Sequence, residues 1–180
     1  MDIRAFPIRI EKEEAGRMAE SQGNLLRRIF CRGKSLSEIR LHFIECKLIT
    51  YEVTHKPNIL DKLFARKPGA KKQMITMLAD SSNSSVAWVD TMPGVVSLTN
   101  VSEDQVQYTG KDEEYLIKKG RSVALKVVHR HVGGIPEIEK VTVESVFRPY
   151  WIAFFGEVIE GKKVHYSPIA ADGCKVHKTI

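Results

Sequence analysis

Between Phe147 and Phe155 the chain sets large apolar side chains side by side, in the run Phe147-Arg148-Pro149-Tyr150-Trp151-Ile152-Ala153-Phe154-Phe155. Neighbouring residues of a strand point to opposite faces of a sheet. Trp151 and Ile152, and again Phe154 and Phe155, therefore need cover on both sides. A helix can cover one face; the other needs a second layer, a ligand cavity or another subunit. The fold must supply a sheet buried on both faces at this point, or a homodimer that completes it. Pro149 removes a ladder donor, so the strand is expected to break near Arg148, leaving Val141–Ser145 and Tyr150–Ile159 as separate strands.

The rest of the chain alternates helical and extended patterns. Residues 4–10 read as a short strand and 11–30 as a helix with Glu11, Glu13 and Glu14 in its first turn, where the helix dipole favours them. From Ile39 to Val53 apolar residues alternate with polar ones, with phase slips at Ile44 and Ile49. A slip moves side chains to the other face, so a bent strand or two consecutive strands are expected. Met74–Leu78 and Val86–Val89 read as strands around a polar turn, and Val95–Leu98 as a weak one. Residues 112–131 give the clearest helix: Leu116, Val123 and Val127 share a face at a 3.6-residue period, and Gly133-Gly134 followed by Pro136 ends it. Glu160-Gly161 and Asp172-Gly173 each read as hairpin turns, returning through 162–169 and 174–180.

Helix, long strand, strand, turn and strand thus occur twice. The expected fold is α+β: an antiparallel sheet with two main helices packed on one face, and a duplicated α-β-β-β unit comparable in architecture to a cystatin-like wrap. One compact domain of 180 residues is expected, with similar halves at about 1–100 and 101–180. The hydrophobic fraction of 43% excludes a disordered chain. No apolar run approaches the ~20 residues that cross a bilayer, so no integral membrane segment is expected. The residues 1–7 lack a basic region followed by an apolar stretch, and Cys31, Cys46 and Cys174 are scattered and odd in number, so a cytoplasmic location is expected.

If the halves correspond, the first carries extra material: 27 positions separate Val53 from Asp80, but only 14 separate Val158 from Asp172. The surplus is the segment 55–72. It holds Lys56, Lys62, Arg66, Lys67, Lys71 and Lys72 against Asp61, a net charge of +5 out of +6 for the chain. Asn58 can cap a short helix ending before Pro68-Gly69, with Ile59, Leu60, Leu63 and Phe64 as its apolar stripe. Those six cations are the candidate binding residues, for an acidic protein or for nucleic acid without sequence specificity. No recognition helix, aromatic RNA motif or zinc finger accompanies them. A solvated loop packing its apolar stripe on the domain is the plainer reading.

Catalytic signatures are absent: there is no GxGxxG, P-loop, HExxH or GxSxG. An enzyme is therefore disfavoured and no cofactor is implied. His129 and His131 point apart on a helix and cannot share an ion. His165 and His177 flank the Asp172-Gly173 turn and would be cross-strand neighbours if their strands pair, which with a third ligand would make a metal-binding protein. Cys31 lies among Arg27, Arg28, Arg32 and Lys34, which would lower its pKa if exposed, but no base accompanies it. A second functional reading is a small-ligand pocket or active site between helix and sheet, using Trp88, Tyr150, Trp151 and His165. The leading expectation is a non-catalytic binding or assembly module, dimeric, that uses its cationic insertion.

Overall fold

The computed structural model describes residues 1–21, 35–55, 71–80, 84–108, 110–132, 136–159 and 164–178. They form a mixed α/β structure with a large, mostly antiparallel sheet. Its strands are β1 (Ile3–Ala5), β2 (Leu36–His55), β3 (Lys71–Asp80), β4 (Ser85–Thr91), β5 (Val96–Leu98), β6 (Val106–Gln107), β7 (Glu137–Phe155), β8 (His165–Ala170) and β9 (Lys175–Lys178). The two α-helices among the described residues are α1 (Lys12–Ser21) and α2 (Glu113–Val132), and a 3-10 turn spans Glu103–Gln105.

The chain divides into two compact units, and the division does not follow its halves. The first unit takes Met1–Glu45, Pro93–Gln107 and Val146–Cys174; the second takes Cys46–Met92, Tyr108–Ser145 and Lys175–Ile180. Each boundary cuts a long strand, β2 after Glu45 and β7 after Ser145.

In the first unit β1 pairs antiparallel with β5 and parallel with β7 at Ala5↔Phe147, β8 pairs antiparallel with β7 over Tyr150–Phe155, and β6 pairs parallel with β2. One cluster joins Ile3, Ala5, Phe43, Val101 and Phe147. A second joins Ala15 and Ala19 of α1 to Ala153, Phe155 and Ile169. The residues α1 buries are small, Ala15, Gly16 and Ala19, so the helix lies close to the strands. A Cβ on Gly16 would meet Ile39 Cδ1 at 3.2 Å.

The second unit orders its strands β7–β2–β3–β4–β9. Its core sets Leu116, Ala124, Val127 and Val128 of α2 against Ile49, Tyr51, Val53, Ile75, Met77 and Val86. Each such fully buried aliphatic side chain contributes about 1.5–3 kcal/mol relative to exposure. Asp112 starts α2: its carboxylate accepts from the backbone amides of Glu114 and Tyr115, both at 3.3 Å, as an N-cap does. The helix comes so close to β2 that Gly120 is required: a Cβ there would stand 2.5 Å from Tyr51 Oη.

Several expectations change. The phase slip at Ile49 is not a bulge, because the register of β2 with β3 runs unbroken from Cys46↔Asp80 to His55↔Lys71. It records burial on both faces, at Cys46 and Leu48 as well as Ile49. The break at Pro149 does not occur; β7 is one strand. Phe147 and Pro149 both turn their carbonyls to the same flank, where Phe147 accepts from Phe6 at 2.9 Å and Pro149 from Ala171 at 2.9 Å. The proline thus sits where the neighbour changes from β1 to β8, and its missing N–H falls at that junction. Asp172-Gly173 is not a hairpin turn: β8 pairs with β7, and β9 pairs with β4 at Trp88↔His177. The order α-β-β-β does recur as α1-β2-β3-β4 and α2-β7-β8-β9, but the pairing does not, since β4 lies on β3 while β9 does not lie on β8. Helix α1 is described to Ser21; the expected continuation to residue 30, and the Glu160-Gly161 turn, lie outside the described residues.

Candidate functional site

The basic segment is the connection between β2 and β3, two strands joined by ten consecutive antiparallel pairs that end at His55↔Lys71. Lys56, Lys62, Arg66 and Lys67 lie outside the described residues, as does the short helix expected after Asn58, and Lys71 is placed by its backbone pairing. Lys72 is exposed and its ammonium donates to Glu52 Oε1 at 2.8 Å. That hydrogen bond, helped by the carboxylate's charge, raises the Lys72 pKa above the usual lysine value. Beside it Gln73 Nε2 stands 3.4 Å from His55 Nε2.

The four residues of the pocket reading have separate surroundings. Trp88 packs on the second unit's core, opposite Met77. Tyr150 and Trp151 are successive in β7 and point to opposite faces. Trp151 packs beside α1 and donates its Nε1 proton to the Ile10 carbonyl at 2.7 Å. With Lys12, Ile39, Arg40, His42 and Asp104 it lines an open groove of about 620 Å³. Burial, reinforced by the Arg40 charge, lowers the His42 pKa below the usual histidine value, with Asp104 opposing. Arg40 is held by Glu38, Nε and Nη2 each at 2.7 Å from a carboxylate oxygen. His165 opens β8 opposite Phe155.

The first unit answers the aromatic run of β7 with guanidinium groups. Ala153 and Phe155 pack against α1. On the other face Arg148 lies over the Tyr150 ring at 5.4 Å and Arg40 over Phe154 at 5.3 Å, while Tyr166 tilts against Phe154 at 6.5 Å. Arg40, half exposed, keeps its charge toward water while covering an aromatic face, whereas the Arg148 guanidinium is buried against Asp172.

Arg148 also makes a buried ion pair that the sequence did not announce. It is 8% exposed and Asp172 is 0% exposed. Arg148 Nε donates to Asp172 Oδ2 at 2.7 Å and Nη2 to Oδ1 at 3.1 Å, and the Cys174 amide also donates to Oδ1 at 3.0 Å. Burial works against the charged guanidinium, but the bonds to Asp172 outweigh it and raise the Arg148 pKa. Burial and the neighbouring Asp172 charge push the Cys174 thiol above its usual value. The two Arg148–Asp172 bonds hold β7 to the chain after β8, and the Cys174 bond braces Asp172 locally, which makes the cluster a structural clamp.

Among the described residues no three His, Cys, Asp or Glu side chains gather in a way that could hold a metal ion. His165 and His177 sit on strands that pair with β7 and β4, not with each other, so the cross-strand pair is not formed. Cys31 and its arginines lie outside the described residues. Among the described residues no helix is long and apolar enough to cross a membrane.

The charge distribution holds one feature the sequence reading passed over. Residues 115–136 contain Lys118, Lys119, Arg121, Lys126 and Arg130 and no acid. This tract equals the 55–72 segment in net charge, so the body of the protein is neutral only on average. Lys118, Arg121, Lys126 and Arg130 are exposed on α2. The signal was available as a count of acids between Glu114 and Glu137. It is overlaid in the same residues by the helix's apolar period.

No protein-family model, curated protein or solved structure matches this chain.

Proposed function

We propose that this protein is a non-catalytic binding module whose basic β2–β3 connection docks an anionic polymer. The observation supporting this reading is how the connection is attached. Both its ends leave a ten-pair strand ladder whose inner face, through Ile49, Tyr51 and Met77, is part of a helix-backed core. Loops that carry function are held by such scaffolds. Lysines and arginines gathered on one connection release counterions when they meet phosphates or sulfates. Lys72, tied to Glu52, contributes less than the others. The test is a salt titration of binding to heparin and to a labelled oligonucleotide, with Lys62→Glu, Arg66→Glu and Lys67→Glu combined in one variant. The reading expects binding that weakens as salt rises and is lost in the variant; unchanged binding would overturn it.

A second reading is favoured by one observation, the groove beside Trp151. An aromatic wall with Lys12 and His42 nearby suits a small organic anion. Quenching of Trp151 fluorescence by a panel of aromatic carboxylates, lost in Lys12→Gln, would support it; an unresponsive panel would remove it.

A further inference from the structure

We infer that the outward face of α2 is a docking surface for the backbone of a single-stranded nucleic acid. The inference deepens the polyanion reading by naming the polymer, and it rests on that reading's premise that the protein binds one, though not on the β2–β3 connection. Lys118, Ser122, Lys126 and Arg130 follow one another at steps of four along α2, and all four are exposed. Residues four apart lie on one side of a helix, so they form a continuous ridge. At 1.5 Å per residue the ridge is about 18 Å long. Arg121 is exposed beside Ser122. The opposite side of the helix, Leu116, Ala124, Val127 and Val128, is spent on the core.

Two facts separate this ridge from an ordinary solvated helix face. Surface lysines and arginines usually alternate with acids, whereas among the described residues Lys118, Arg121, Lys126 and Arg130 make no ion pair. The helix dipole favours cations in the last turn, which accounts for Arg130 but not for Lys118 and Arg121, which fall in the first half of a 20-residue helix. The acids that α2 has, Glu113 and Glu114, are confined to the first turn, where Glu113 stands 3.5 Å from Lys47.

The chemistry of the face selects among polyanions. A lipid surface needs an exposed apolar stripe to insert beside the cations, and the apolar stripe of α2 is already buried. An acidic protein would meet the ridge as isolated surface ion pairs, each weak in water. A nucleic acid offers regularly spaced phosphates and gains from counterion release. Tyr115, half exposed about two turns before Ser122, adds an aromatic ring with the Lys119 ammonium 5.9 Å above its centre. An aromatic ring beside a line of cations stacks an unpaired base and gives a single strand the advantage over a duplex.

The experiment measures binding of a labelled oligothymidylate to the full chain by fluorescence anisotropy across a salt series. Comparison ligands are a duplex of equal length, polyglutamate and vesicles of anionic phospholipid. The variants are K118Q/R121Q/K126Q/R130Q and Tyr115→Ala, all at exposed positions, with circular dichroism confirming their fold. The four-site variant is expected to lose at least tenfold in affinity at low salt and to flatten the log–log salt slope by about 3, at roughly 0.7 per phosphate contact. Tyr115→Ala is expected to weaken the single strand by about fivefold or more and the duplex little. Wild-type affinity in the four-site variant overturns the inference, and so does equal or tighter binding of polyglutamate or vesicles. If the Lys62, Arg66, Lys67 reversal alone abolishes binding, the β2–β3 reading stands and this one falls; if only the four-site variant does, the reverse holds.

Discussion

Two residue pairs set the tolerance of this fold. Tyr51 is 0% exposed, donates to the Ile117 carbonyl at 2.6 Å, and leaves no room for a Cβ on Gly120. Gly120→Ala should destabilise by about 2 kcal/mol through overpacking, measured by urea denaturation. Tyr51→Phe should cost about 1 kcal/mol for the lost hydrogen bond. The double variant should cost less than the sum, because removing Oη removes the clash. Burial pushes the Tyr51 phenol up to about 12, with the Arg121 backbone amide opposing. A pKa raised in the folded state makes the protonated form a source of stability that is complete below the unfolded value near 10 and lost as pH climbs from there to about 12. Unfolding free energy should fall across that window in the wild type, and Tyr51→Phe should flatten the fall. Arg148 and Asp172 make the second pair. Arg148→Met alone should cost about 3–5 kcal/mol, because it strands a buried carboxylate, while Arg148→Met with Asp172→Leu should recover most of the loss. A single-variant cost no larger than that of a surface pair would show that the clamp is not closed in solution.

At the scale of elements, local pattern carried a long way. Strands β3, β4, β5 and β8 and helix α2 fall where alternation and the 3.6-residue period put them. The errors share a cause: they occur where burial has two sides or a partner lies far along the chain. In β2, Leu48 and Ile49 are adjacent and both buried, which a one-face pattern can only read as a slip. Asp172 beside Gly173 carries the local chemistry of a turn, and nothing near it in sequence reveals Arg148, 24 residues earlier. Asp112, the first residue of the helix expected over 112–131, is its cap, so Asp112→Ala should lower stability by about 1 kcal/mol, measured by thermal or chemical unfolding. The candidate site was legible as charge: both basic tracts can be counted in the sequence. What the sequence lacked was the geometry that puts one tract on a strand connection and turns the cations of the other to one side of a helix.

At the scale of the whole chain, the two compact units interleave in sequence. The first unit takes three segments and the second takes three, and β2 and β7 are the elements cut between them. Element order alone suggested halves near residue 100, since pairing partners such as β4 and β9 are chosen by long-range fit and leave no local mark. Both cationic tracts belong to the second unit, which takes in residues 46–92 and 108–145. With +5 in each tract and +6 overall, the remainder of the chain is net acidic, and basicity is a property of that unit. The central claim is that this unit holds a polyanion through several cations acting together. The most direct measurement is the slope of log Kd against log salt for the wild-type chain and a labelled single strand. The account predicts a steep dependence that corresponds to several phosphate contacts, about 0.7 in slope for each. A slope near zero, or no binding at low salt, would contradict it.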